Sequence, residues 1–295
     1  MQLQTELAEG TITSFAAGAV VAPARVLLVT EMDGRMVIVT DRTPFHPQSL
    51  TWPDQPGDRG TVTLADNRQT VVEDSREALL NRVTGMIFTG EDATAVKRND
   101  PEINAVVLHL VQGSIEVSPG ATVTLHVDAD YRRALSLQHT GVHLAALVLN
   151  QAAAAFWTKK ADDADSLGAP NLDKAAVAGS RITPEGSVDS YRIGKSLRKK
   201  GFDRDAFLAD LPGRTAAIIA TLRQMIDTPA PVLVAPGEGY LHDRRLWATR
   251  LNGTEVSMPC GGTHVENLSQ IGGIMVELAA SDEGFVMATT TLPAS

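Results

Sequence analysis

His139 and His143 stand four residues apart in QHTGVH, within a stretch whose apolar residues recur at helical spacing. On a helix both imidazoles project from one face, one turn apart, and such a pair can bite a single metal ion. Gly141 and Val142 occupy the positions between them, so the glutamate of the HExxH pattern is missing and a peptidase is disfavoured. Cys260 and His264 share the four-residue spacing in PCGGTH, where two glycines argue for a tight turn rather than a helix. Cys260 is the only cysteine, which excludes an intrachain disulfide. Each pair alone also has a plain reading: chance spacing for the histidines, a small buried hydrophobe for the cysteine. Combined, they supply three nitrogens and one sulfur, a donor set suited to Zn2+.

Positioning these residues takes a strand-rich N-terminal half and a mixed second half. Residues 11–21 alternate loosely. The β-branched runs 25–30 and 35–40 flank Asp33-Gly34, a short-hairpin signal. Residues 60–65 and 69–72 flank Asp66-Asn67 as a second hairpin, after a proline-rich loop over 43–56. Further short strands are expected over 105–110, 114–117 and 122–127, with Pro119-Gly120 as a turn. Closely spaced strands of this kind suggest a small barrel. Asp128 can cap a helix, and Ala134, Leu137, Val142, Ala145, Ala146 and Leu149 then predict one over 129–156. A polar loop over 159–172 follows, then strands over 176–182 and 188–193, and a helix over 203–226. Strands over 232–235, 246–256, 273–279 and 285–291 complete the chain. The expected class is α+β: a strand-rich small barrel over 1–127, then a two-layer α/β domain over 128–295 carrying the metal residues.

Composition limits the alternatives. With 43% apolar and 21% charged residues, the 295-residue chain reads as globular. The most apolar stretch, 144–157, is too short for a membrane span and is broken by Asn150 and Gln151. The N-terminal MQLQTELAEG lacks the basic start and apolar core of a signal peptide, so the cytoplasm is the expected compartment. A net charge of −9 argues against broad binding to a phosphate backbone. Arg192, Lys195, Arg198, Lys199 and Lys200 nevertheless cluster in YRIGKSLRKKG, either as a solvated turn or as a local phosphate-binding patch.

QHTGVH at 138–143 and CGGTHVENLSQIG at 260–272 resemble the two metal motifs of the alanyl-tRNA synthetase editing domain and of the free-standing editing proteins related to it, often called AlaX. DRTPFHPQ at 41–48 followed by QPGDRG at 55–60 resembles that family's glycine-rich motif region, and AGSRITPE at 178–185 resembles a further family segment. The resemblance spans roughly residues 20–292. SLTWPD at 49–54 departs from it, being longer than the usual segment and free of glycine. Leu268, Ser269 and Gln270 replace the usual Thr-Gly-Glu, and the basic residue often seen near the last strand is absent from FVMATTTL.

The resemblance implies a trans-acting, zinc-dependent aminoacyl-tRNA deacylase, because no ATP-binding synthetase core accompanies the motifs. The implied substrates are Ser- or Gly-charged tRNA(Ala). The altered 49–54 loop allows a threonyl ester or a noncanonical analogue such as fluorothreonyl-tRNA. Zinc would lower the pKa of a bound water and polarise the ester carbonyl. Four protein ligands would close the tetrahedron, however, so either one ligand is loose, His264 leaving a glycine turn being the expected one, or zinc mainly positions the substrate amine and a nearby water. Thr43 is the expected acyl-discriminating residue, while His46 and Gln48 are expected to bond the ester or ribose, or to stabilise the loop. Gln55 corresponds to a family glutamine, and Asp58 and Arg59 are expected to pair at the surface. Two other readings stay open: a catalytically inactive zinc-stabilised tRNA-binding module, and a small-molecule hydrolase on the editing fold.

Overall fold

The computed structural model describes residues 10–294. The N-terminal stretch read against a signal peptide lies, up to residue 9, outside the described residues. The chain divides into two compact units. The first holds the described residues up to Arg132, with Val234–Arg245 and Gly261–Thr263; the second holds Arg133–Leu233, Leu246–Cys260 and the described residues from His264 onward.

In the first unit β1 (Ile12–Thr13), β2 (Val21–Met32), β3 (Arg35–Thr40) and β4 (Arg42–Thr43) are followed by β5 (Gly60–Leu64), β6 (Gln69–Asn81), β7 (Ile87–Phe88), helix α1 (Gly90–Thr94), β8 (Ile103–Val111) and β9 (Thr122–Val127). Hydrogen bonding runs β5–β9–β2–β3–β8–β6 and returns from β6 to β5, so six antiparallel strands close a barrel, with β7 paired outside β6. Closure removes the free edges that a sheet this short would otherwise expose. Its apolar centre is built on Val26, Ile38, Phe45, Val62, Val72 and Leu125. Asp33 and Gly34 both take positive φ (51° and 72°), the backbone of a two-residue turn whose twist matches the β2–β3 hairpin. Beside the barrel, β1 pairs with β4 and with the short strand Gly239–Tyr240.

Helix α2 (Ala129–Ala153) runs as the periodicity predicts, its last turn tightening to a 3-10 helix over Ala154–Phe156. Asp128 is its cap: the carboxylate accepts from the backbone N–H of Asp130 and Tyr131 at 3.2 and 3.1 Å. Past it come α3 (Leu172–Ala176), β10 (Val177–Thr183), β11 (Gly186–Arg192), α4 (Lys195–Lys199), α5 (Arg204–Leu208) and α6 (Leu211–Ile226). The remaining strands are β12 (Leu233–Ala235), β13 (the Gly239–Tyr240 strand), β14 (Leu246–Leu251), β15 (Thr254–Pro259), β16 (Ile271–Ala280) and β17 (Gly284–Pro293). In the second unit β10, β11, β17 and β16 form one antiparallel sheet. Strict alternation buries Ser187, Asp189 and Tyr191 on β11 and Phe285, Met287, Thr289 and Thr291 on β17, the face that takes the helices.

Four expectations about elements are corrected. Residues 114–117 are irregular, because Gly113 turns at φ 68° and Ile115 buries its side chain while its N–H bonds Met36 Sδ. Residues 11–21 are not one strand but β1, a 3-10 turn over Phe15–Ala17 and the start of β2. The helix over 203–226 is two, since Asp210 caps α6 through Gly213 N–H and Pro212 cannot continue a helix from the preceding turn. The strand over 246–256 is the hairpin β14–β15, folded at Asn252 and Gly253 with φ of 48° and 85°.

Candidate functional site

Helix α2 sets the histidine pair by docking on β17. The Gln138 side-chain amide clasps the backbone of Thr291, donating to its carbonyl at 2.9 Å and accepting from its N–H at 2.8 Å. Three residues on, Gly141 meets the Thr291 side chain so closely that a Cβ there would overlap it. His139 and His143 flank that contact, their rings edge to face with centroids 4.8 Å apart. His264 lies 4.3 Å from the His139 ring and 4.7 Å from the His143 ring, and Trp247 of β14 backs His143 at 4.9 Å. Cys260 Sγ lies 3.5 Å from His139 Nε2 and 3.3 Å from His264 Nε2. One donor atom from each of the four residues falls within 4.8 Å of every other, as a shared metal ion requires.

The surroundings prepare these side chains as lone-pair donors. Burial, with His139 beside it, holds His143 well below its usual pKa and so neutral, and its Nδ1 is buried without a hydrogen-bond partner. Thr140 settles the tautomer of His264. Its hydroxyl donates to the Ser136 carbonyl at 2.8 Å, the i−4 bond common for threonine in helices. Toward His264 Nδ1, 3.2 Å away, it can therefore only accept, which puts the ring proton on Nδ1 and leaves Nε2 to face the cysteine sulfur. The same oxygen accepts from Val265 N–H at 3.2 Å. His264 is thus anchored on its far side.

Thr43, His46, Gln48, Gln55 and Asp58 belong to the first unit. Thr43 is 1% exposed. Its Oγ1 accepts from Phe45 N–H at 3.1 Å and lies 2.8 Å from Nε2 of His109. His109 is wholly buried among the barrel's apolar residues, which pushes its pKa down to about 4. The backbone N–H of His46 donates to Asp58 Oδ2 at 2.5 Å, its ring meets Phe15 edge to face, and its carbonyl accepts from Ser75 Oγ at 2.8 Å. Gln48 is tied through its backbone to Ser75 and Glu77 of β6. The Gln55 side chain donates to Thr263 Oγ1 at 2.9 Å and accepts from Thr263 N–H at 3.3 Å.

Asp58 and Arg59 do not pair at the surface. Asp58 is fully buried and ion-paired with Arg132, whose guanidinium also donates to the Pro44 carbonyl at 2.7 Å. Burial pushes the Asp58 carboxyl above its usual range while the guanidinium pulls against that shift. Arg59 instead lies over the Tyr131 ring, 4.5 Å from its centre. In the basic stretch, Arg192 pairs with Glu283 and Lys200 with Asp162, both at 3.0 Å. Lys195, Arg198 and Lys199 are exposed and have no acidic partner among the described residues.

No family model matches the chain. It is 27% identical over 247 residues to the alanyl-tRNA editing protein AlaX-M of Pyrococcus horikoshii, a match covering 83% of each protein. The chain is AlaX-like. It is also 26% identical over 254 residues to the alanine–tRNA ligase of Chlorobium phaeovibrioides, covering 85% of this chain and 24% of that ligase. AlaX-like similarity along most of the chain agrees with the motifs, yet the motifs alone did not point to Thr140, His109 or Arg132. Thr140 carried a usable signal, a hydroxyl residue on the helix beside a ligand. His109 looked like one more residue of an apolar strand. No helix is long and apolar enough to cross a membrane among the described residues.

Proposed function

We propose that the chain hydrolyses the aminoacyl ester of mischarged tRNA in trans, with Zn2+ held by His139, His143, Cys260 and His264. The observation that carries this reading is the convergence of those four donors within 4.8 Å in a chain similar to an alanyl-tRNA editing protein over 83% of its length. Three imidazoles and one thiolate suit zinc, and a neutral, buried His143 with an unpartnered Nδ1 suits a metal better than a solvated surface. When bound, zinc would polarise an ester carbonyl and acidify a water.

The chain's own residues then orient the substrate. Thr43 is read as the residue that senses the acyl side chain, and His46 and Gln48 as hydrogen-bonding partners of the ester or ribose. Lys195, Arg198 and Lys199, with Arg192 and Lys200 beside them, are read as contacts for tRNA phosphates. The acyl group is seryl or glycyl on tRNA(Ala), or, given the 49–54 loop, threonyl or an analogue such as fluorothreonyl.

The test is a panel of mischarged tRNAs incubated with the purified protein, with and without a zinc chelator. Turnover of at least one ester, lost on chelation and restored by zinc, is expected. No turnover on any ester rejects the enzyme. The closed set of four ligands favours one second reading, a zinc-stabilised tRNA-binding module, which predicts tRNA binding with no hydrolysis. A small-molecule hydrolase predicts neither, and salt-sensitive tRNA binding weakened by replacing residues 198–200 argues against it.

A further inference from the structure

We infer that His109 is a positioning residue that accepts the hydrogen bond of the Thr43 hydroxyl and thereby leaves Thr43 only a lone pair to offer any further partner. The inference rests on the proposed acyl-sensing role of Thr43 and extends it to a residue inside the barrel.

The two nitrogens of His109 have different partners. Nδ1 lies 3.0 Å from the backbone carbonyl of Ile38, which can only accept, so Nδ1 carries the proton. Burial keeps the ring neutral, and Nε2 is then a bare lone pair. Thr43 Oγ1 sits 2.8 Å from it and must be the donor. One of the two lone pairs of Oγ1 is used by Phe45 N–H, which leaves one lone pair and no proton. The arrangement is rigid. His109 follows Leu108 on β8, faces the interior beside Ile38 through the β3–β8 pairing, and is held edge to face by Phe45 at 5.2 Å.

A threonine with a free hydroxyl can turn to donate or accept and discriminates weakly. With its hydroxyl committed as donor to His109 Nε2, Thr43 matches an acyl group that brings a donor and leaves an unmatched lone pair beside one that brings only carbon and hydrogen. A polar atom this buried discriminates because leaving it unmatched is costly. An apolar barrel has no need of a neutral histidine for packing; Leu or Phe fills such a position at less desolvation cost.

The test uses the full-length zinc protein and tRNA carrying seryl, threonyl, alanyl and glycyl esters, with His109→Leu, His109→Gln and Thr43→Val. His109→Leu is expected to lower the preference for hydroxyl-bearing over hydroxyl-lacking esters about tenfold, through kcat/KM. His109→Gln, which can still accept from Thr43 and donate to Ile38, should restore most of it. In a Thr43→Val background, His109→Leu should change the preference no further. Equal losses on all four esters in His109→Leu, without rescue by Gln, would make His109 merely structural and overturn the proposal. Nitrogen NMR of the imidazole supplies a readout independent of activity: a neutral ring protonated on Nδ1 at pH 7 is expected, and a proton on Nε2 sinks the idea. If the wild-type protein hydrolyses none of the esters, the deacylase reading and the specificity role fall together. The NMR result then identifies the failure as one of function and not of the His109–Thr43 geometry.

Discussion

Thr140 gives its proton to Ser136 and its lone pairs to His264 Nδ1 and Val265 N–H, so replacing it separates ligand orientation from ligand identity. Thr140→Val should weaken zinc binding about 10- to 100-fold, the usual cost of losing an outer partner of a metal histidine, while Thr140→Ser stays near wild type. Competition with a chromophoric chelator measures both, and unchanged affinity in the valine variant would refute the role. His109 supports a second prediction through pH. Its folded pKa of about 4 lies below the ordinary value of 6.5, so the unfolded chain binds more protons between those limits. The stability His109 contributes is therefore complete above pH 6.5 and is lost as pH falls toward 4, by about 3 kcal/mol in all. Denaturant titrations of wild type minus His109→Leu should show that slope, other titrating groups cancelling in the difference; a flat difference curve contradicts it. Each candidate ligand pair was legible in the sequence because its two members stand only four residues apart. Thr140 and His109 were not, because the partner of each comes from distant sequence, 124 and 66 positions away.

At the scale of elements, Gly141 joins two opposing effects. In an exposed helix, Gly→Ala would stabilise by about 1 kcal/mol through propensity. Here the added methyl would enter the side chain of Thr291, which is β-branched, 2% exposed and held by Gln138 through its backbone. Overpacking costs about 1–3 kcal/mol, so the net effect of Gly141→Ala should be destabilising. Thr291→Ala should recover part of it in the double variant, and calorimetric melting of the two single variants and the double shows whether the pair couples. A Gly141→Ala protein that melts higher than wild type contradicts the packing account. Elements with strong local signals followed the sequence: the Asp128-capped helix and the Asp33-Gly34 hairpin. The split of 203–226 and the β14–β15 hairpin also had signals, Asp210-x-Pro212 and Asn252-Gly253, which the apolar periodicity around them masked. Barrel closure had none, since it depends on β5 finding β6 and β9 at once.

For the whole molecule, a net charge of −9 limits how the proposed tRNA substrate could be held. An acidic protein cannot draw a polyanion to its surface at large; it needs a local cluster whose cations are not already neutralised. Two of the five basic residues in 192–200 are ion-paired, Arg192 with Glu283 and Lys200 with Asp162, so they gain less from a phosphate than their charge suggests. Lys195, Arg198 and Lys199 remain, exposed on or beside the single turn of α4. Each phosphate contact contributes about 0.7–0.9 to the slope of log K against log salt. Replacing all three with glutamine should therefore weaken tRNA binding and flatten that slope by roughly 2 to 3. Replacing Arg192 and Lys200 instead should change it less, because Glu283 and Asp162 already neutralise part of their charge. Filter binding across a salt series distinguishes the two sets. If the triple variant keeps the wild-type slope, the cluster is only a solvated surface and makes no contact with tRNA phosphates.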